Sequence, residues 1–250
     1  PHLRQDVVGK SVEGRPLLLL TITNPDIAEG GKKVIWLMAR QHAWESGTSW
    51  VAEGAVRFLL SNAPAAAAIR DRFLWKVFPL PDPDGVFRGG VRFNANGYDL
   101  NRNFPAPDGS QYSGQPLQTE TQLMMNLGLA ERFNLVANFH GGAEVVNYPW
   151  DHQSALHVDD AWYQSISRAY ATSAQNNSPA GYLDDLNNGI TNGADWYITT
   201  GNRQDWTNYA AGGREVTIEI SSTKNPAAST LPDFWNYNRD ALLGFLEQGL

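Results

Sequence analysis

Apolar positions fall into two rhythms along this chain. One consists of short, dominantly apolar runs: Lys33 to Ala39, Phe73 to Leu80, Phe133 to Phe139 and Glu215 to Ser221. Runs of this length suit strands buried on both faces. In the other, apolar residues return at helical spacing. Trp50, Val51, Ala55, Val56, Phe58 and Leu59 mark a helix from about Gly47 to Ser61, and Leu123, Leu127 and Ala130 mark one within Pro116–Arg132. Ala65–Asp71, Asp159–Ser173 and Leu231–Gln248 are predicted as further helices. Val7 to Pro16 reads as a strand and turn leading into a second strand, Leu17 to Thr23, with Gly9, Gly14 and Pro16 as punctuation. Residues 174–213 are Asn/Gly-rich and predicted to be irregular. Strands alternating with helices imply an α/β fold: a mixed, mostly parallel twisted β-sheet flanked by helices on both faces.

Composition narrows the function classes. At 250 residues, with no internal repeat or linker-like tract, one large domain is expected. The net charge of −7 disfavours a nucleic-acid partner. There are no cysteines, so disulfides, thiolate nucleophiles and Cys-type zinc sites are excluded, while the compartment stays open. No apolar run approaches the roughly 20 residues of a membrane span.

Candidate chemistry gathers at strand ends. The run Lys33 to Ala39 leads into His42-Ala43-Trp44-Glu45. Open α/β sheets place ligands in loops at the carboxyl ends of strands. An imidazole and a carboxylate in one tight loop can share a cation, and catalytic zinc takes three such ligands plus a water. His140, also at a strand end and followed by Gly141-Gly142, offers the third. Glu219 lies within the apolar Val216–Ser221 stretch. A carboxylate there needs either an Arg partner or a task, such as general base beside the metal. Asn101-Arg102 can grip a carboxylate through the planar guanidinium fork, and Arg92 can stabilise a developing oxyanion.

These motifs, with Asn96-Gly97-Tyr98-Asp99-Leu100-Asn101-Arg102-Asn103-Phe104-Pro105 and Thr217-Ile218-Glu219-Ile220-Ser221, resemble the zinc metallocarboxypeptidase family in order and spacing over nearly the whole chain. Asn147-Tyr148-Pro149 and Gly189 to Tyr197 are most similar to its regulatory branch, which includes carboxypeptidases D, E, M and N; Ser46 to Leu60 is more like the cytosolic branch. The resemblance implies one Zn²⁺ held by His42, Glu45 and His140. It implies that Glu219 moves the proton of the attacking water, that Arg92 polarises the scissile carbonyl, and that Asn101 and Arg102 hold the C-terminal carboxylate. Tyr197, 22 residues before Glu219, matches the mobile tyrosine that closes over the substrate.

The resemblance also places a specificity pocket. Asp151, eleven residues after His140, and Gln204 match positions that receive Lys or Arg side chains in the regulatory branch. His152 replaces a second Asp, and Asn202-Arg203 replaces Gly-Met. Arg203 could repel a basic side chain or attract an acidic one. Trp44 is unusual between the first two ligands and is expected to narrow the groove. The family often carries cis bonds near this pocket, and Tyr148-Pro149 makes one accessible. The expected activity is removal of a C-terminal residue, preferably Lys or Arg, from peptides or proteins. Acidic, hydrophobic or cell-wall peptide ends, or peptide binding without cleavage, are the alternatives. A monomer is expected, forming a single catalytic domain over residues 1–250, without the β-sandwich that follows it in the regulatory branch.

Overall fold

The computed structural model describes residues 1–248. Eight strands form one sheet: β1 (Leu3–Lys10), β2 (Pro16–Ile22), β3 (Lys33–Met38), β4 (Phe73–Phe78), β5 (Leu135–His140), β6 (Ala143–Tyr148), β7 (Ile190–Asn192) and β8 (Arg214–Ser221). Their order is β1-β2-β4-β3-β5-β8-β6-β7. The central run β4-β3-β5-β8 is parallel, as is β6 with β7; β1–β2, β2–β4 and β8–β6 are antiparallel. The expected mixed sheet is therefore present, its parallel part confined mainly to the middle.

Each central strand feeds two cores because successive side chains point to opposite faces. In β3, Ile35 and Leu37 join the larger core, while Trp36 and Met38 join the smaller one. The larger core is closed by α1 (Ser46–Leu59), α5 (Asp160–Asn176) and α9 (Leu231–Glu247). Gly54 of α1 lets the indole of Trp235 in α9 approach so closely that a Cβ would come within 2.3 Å of it. The smaller core is covered by α4 (Thr119–Glu131) and by residues 206–211. Trp36 is fully buried in it, edge-on to Phe133 at 4.2 Å and Phe78 at 5.7 Å. Helix α2 (Pro64–Arg72) links α1 to β4, and α3 (Pro83–Arg88) follows the Pro-rich turn after β4.

Strand β8 shows how the sheet serves a site. Val216, Ile218 and Ile220 enter the larger core. The alternate residues Glu215, Thr217 and Glu219 face the opposite side. A polar row on an interior strand is what places chemistry at the sheet's carboxyl edge.

Two regions differ from expectation. Residues 174–213 are not structureless: they contain β7 and the short helical segments α6 (Asp185–Gly189), α7 (Gly193–Trp196) and α8 (Arg203–Trp206). Strand β6 is absent from the sequence prediction. It forms because Gly142, at φ 129°, reverses the chain after His140, and its backbone N–H donates to Ser221 O at 2.6 Å. The chain then runs back antiparallel to β8.

Candidate active site

After β3 the backbone turns sharply at Arg40, which adopts a left-handed φ of 59°. A side chain rarely sits there without support. Here Arg40 N–H donates to Thr48 Oγ1 at 3.0 Å, and its Nε donates to Ala43 O at 2.6 Å. The turn delivers Gln41 and His42 to the sheet edge and leaves Glu45 at the amino end of α1, where the helix dipole favours a carboxylate. His140, the last residue of β5, is paired in register with Glu219 of β8.

His42, Glu45 and His140 are buried together, with one potential ligand atom from each lying within 4.8 Å of the others. His42 Nδ1 is 2.8 Å from Glu45 Oε1, and His140 Nδ1 is 2.9 Å from Glu45 Oε2. The opposite ring nitrogens are braced. His42 Nε2 meets Asp99 Oδ1 at 2.9 Å, and His140 Nε2 meets Gln41 Oε1 at 3.1 Å. Gln41 presents its oxygen because its amide N–H donates to Leu100 O at 3.0 Å.

These braces settle what the group fits. A neutral imidazole has one proton, and in both rings an acceptor holds it on Nε2. Both Nδ1 lone pairs then face the Glu45 carboxylate, and Glu45 Oε2 makes no satisfactory hydrogen bond. Three inward lone-pair donors of N, N and O type call for a cation. The set is that of a catalytic zinc site, with outer hydrogen bonds that fix the tautomers. Without a metal, burial pushes the Glu45 pKa up, but the charges of His42 and His140 outweigh it, holding the carboxyl well below its usual range. Burial pushes His140 down, while Glu45 and Asp99 overcome burial at His42 and raise it.

Glu219 is partly buried at the floor of this edge, with Oε2 enclosed and unpartnered. Burial, reinforced by the charge of Glu45, raises its pKa to about 7. Arg92 Nε donates to Asp99 Oδ2 at 2.7 Å, so Asp99 ties Arg92 to His42. Burial works against the Asp99 carboxylate, but His42, Arg92 and Arg102 hold it well below the usual range.

Beside them, Arg102 Nη2 lies 3.1 Å from Tyr197 Oη, and Tyr197 is 48% exposed. Asn101 Oδ1 accepts the backbone N–H of Arg203 at 3.0 Å, leaving its amide Nδ2 for a ligand. Asp151 is buried. Its Oδ1 accepts from Asn147 Nδ2 at 2.9 Å and faces Gln204 Nε2 at 3.4 Å. Gln204 is itself fixed by the N–H of Thr217, which donates to Oε1 at 2.8 Å. The backbone N–H of Asp151 lies 3.0 and 3.1 Å from the two Asp205 oxygens, and His152 Nδ1 lies 2.6 Å from Asp205 Oδ2. Burial, then the charge of Asp205, raises the Asp151 pKa to about 8. Gly193 is required here, since a Cβ would meet Asp151 Oδ1 at 1.5 Å.

Arg203 corrects the sequence reading. Its side chain is 1% exposed, its Nη1 is 2.7 Å from Glu215 Oε2, and its guanidinium lies 5.0 Å from the Trp36 ring centroid. Glu215 and the core occupy this guanidinium, so it offers no free charge to a substrate side chain. A cis bond does occur near the pocket, at Pro149–Trp150. Gln41 and Asp99 received no role from the sequence. Asp99 lies in the quoted Asn96–Pro105 motif and could have been found there as the partner an imidazole ligand needs; Gln41 carries no such signal.

A buried His-Glu-His group on the carboxyl edge of a mixed sheet is a candidate single-metal site on an α/β fold. Residues 1–241 match the family model described as zinc carboxypeptidase, and the chain belongs to that family. The family is a zinc-binding one, and His42, Glu45 and His140 form a group able to hold a metal ion. Carboxypeptidase D of Anas platyrhynchos is 35% identical over 265 residues, covering 96% of this chain and 19% of that protein. Carboxypeptidase SOL1 of Arabidopsis thaliana is 33% identical, covering 96% and 50% respectively. These relatives, with carboxypeptidases M and N, agree with the regulatory branch. The chain thus spans half or less of both proteins' length. Carboxypeptidase A from Helicoverpa armigera superposes with a TM-score of 0.86 at 17% identity, covering 99% of this chain and 68% of that one, which shows the shared fold.

Proposed function

We propose that this chain is a single catalytic domain of a zinc-dependent exopeptidase that releases one residue from peptide C-termini, preferring Lys or Arg. The observation that carries the reading is the convergence of the braced His42-Glu45-His140 group, Glu219 and the Arg102–Tyr197 pair at one sheet edge. Zinc held by His42, Glu45 and His140 would supply Lewis acidity, lowering the pKa of a water toward ~7 and polarising the carbonyl.

The chain's own residues do the rest. Glu219, with a pKa raised to about 7, accepts the attacking water's proton near neutrality and passes it to the leaving amine. Arg92 is held through Nε by Asp99, which leaves its terminal nitrogens for the developing oxyanion. Arg102 and the free amide of Asn101 take the terminal carboxylate, and an internal peptide bond offers them none. Tyr197 closes over the bound residue. Asp151, steadied by Asn147 and Gln204, supplies the pocket's anion. The burial of Arg203 against Glu215 removes the main argument for acidic ends.

The test is release of the terminal residue from otherwise identical peptides ending in Arg, Glu or Leu, with and without a zinc chelator. Chelator-sensitive release, fastest for Arg, is expected. Glu219→Gln should retain zinc while kcat falls at least about a thousandfold, within the range general-base catalysis supplies. Turnover at the wild-type rate in that variant would sink the mechanism.

A further inference from the structure

Lys224 and Trp44 have no part in the reading above, yet they flank the metal group. Lys224 follows β8 on the segment that carries the chain from Glu219 toward α9. Its Nζ donates to Gly141 O at 2.5 Å, lies 3.4 Å from Glu45 Oε1, and sits 6.0 Å from the Trp44 ring centroid. Gly142 makes room for it, because a Cβ there would come within 2.2 Å of Nζ. The neighbouring Asn225 Oδ1 accepts from Ser46 Oγ at 2.8 Å, pinning the segment to the start of α1.

The location sets the direction. Gln204, which contacts Asp151, is also bonded to Thr217, on the smaller-core face of β8, and Asn101 is bonded to the adjoining Arg203. Trp44 precedes α1 and Lys224 precedes α9, the helices that close the larger core on the other face, and the Trp44 backbone N–H donates to Val91 O at 3.0 Å. They therefore lie across the metal group from the groups that grip the terminal residue. A peptide held by its last carboxylate at Arg102, with its scissile bond at the metal group, leads its preceding residues toward that far side.

An ammonium has three N–H bonds. One goes to Gly141 O and one points at Glu45 Oε1, while the side chain remains about a third exposed (31%). The third is free for an incoming acceptor. Trp44 adds a partly buried aromatic wall whose ring attracts the ammonium itself, 6.0 Å from its centroid.

Resting on the exopeptidase reading, we propose that Lys224, backed by Trp44, is a specificity-determining residue that favours peptides with an acidic side chain just upstream of the scissile bond.

The test measures binding to the turnover-deficient Glu219→Gln variant, using fluorescent peptides that end in Arg and carry Glu, Gln or Lys at the two upstream positions. Dissociation constants are compared with those of the Glu219→Gln protein further changed by Lys224→Gln, Lys224→Arg or Trp44→Ala. Each Glu should bind about 3–5-fold more tightly than Lys, the range of a partly exposed ion pair, and the ratio should shrink toward one at high salt. Lys224→Gln should erase the ratio while leaving the Gln peptide's affinity within twofold, and Lys224→Arg should restore it. Equal binding of Glu and Lys peptides, or a ratio unchanged by Lys224→Gln with Lys224→Arg folded normally, overturns the proposal. Failure of every Arg-ended peptide to bind more tightly than its C-terminal amide would refute the exopeptidase reading instead.

Discussion

Helix α8 lies between two buried carboxylates that it treats in opposite ways. At Arg203 it supplies a guanidinium that compensates Glu215 at 2.7 Å, against Trp36, with no opening to solvent. Two residues on, at Asp205, it supplies another carboxylate against Asp151. The first pair satisfies its charge internally and serves the fold. The second sets Asp151 against another carboxylate, with no ion pair to it among the described residues, and the proposed preference for Lys or Arg ends would supply the cation. A buried charge compensated within the chain is a structural device, whereas one left uncompensated beside an opening marks a binding site.

The largest effect should come from breaking the compensated pair. Arg203→Met strands Glu215 in the core, and loss of one partner from a buried pair costs about 3–5 kcal/mol. Urea unfolding should show that loss, and the double variant Arg203→Met/Glu215→Leu should recover most of it. A single variant as stable as wild type would remove the structural role given to Arg203.

Asp151→Asn should behave in the opposite way. A pKa of about 8 already keeps Asp151 largely protonated at neutral pH, so replacing it with a neutral amide should leave stability there about unchanged. The value of kcat/KM for Arg-ended peptides should nonetheless fall about a hundredfold, as expected when one member of a desolvated charge pair is lost, while that for Leu-ended peptides stays near wild type. An equal loss for both peptides would reduce Asp151 to a packing residue.

The same contrast predicts a pH dependence. Asp151 has a folded pKa of about 8 against a reference value of 3.8, so the folded chain holds its proton more tightly than the unfolded chain. Its favourable contribution to stability is full below about pH 4 and is lost as pH rises toward 8. For the free enzyme, kcat/KM toward Arg ends should climb to a plateau near pH 8, with a weaker climb for Leu ends. Asp151→Asn should remove the stability trend and reduce the Arg-end climb to the weaker one that Glu219 gives both peptides. Identical profiles for the two peptides in wild type would assign the climb to another group.

How much of this was legible in the sequence follows from how local each signal is. The buried strands and helices were readable because apolar periodicity reports burial directly. His42, Glu45 and His140 were readable because each stands in a short motif at a strand end. Strand β6 was not, since its place depends on a reversal at Gly142 and on pairing with β8, more than 60 residues further along the chain. Arg203 was misread for a related reason: it adjoins the pocket residue Gln204 in sequence, but its side chain leaves toward Glu215 on β8. Gln41 gains meaning only when β5 brings His140 beside it.

The smallest expected effect concerns a charge of a third kind, neither buried nor fully paired. Arg102 meets only the hydroxyl of an exposed tyrosine through Nη2, and its other terminal nitrogen, Nη1, donates to Asn101 O at 2.7 Å. The guanidinium thus retains donors for a carboxylate, and Tyr197 is near enough to close over whatever Arg102 holds. Tyr197→Phe removes one hydroxyl, worth about 1 kcal/mol, so KM for Arg-ended peptides should rise about fivefold with kcat within twofold. A fall in KM would reverse the sense of the contact. The tyrosine would then compete with the substrate carboxylate for Arg102, and its departure would be a cost of binding.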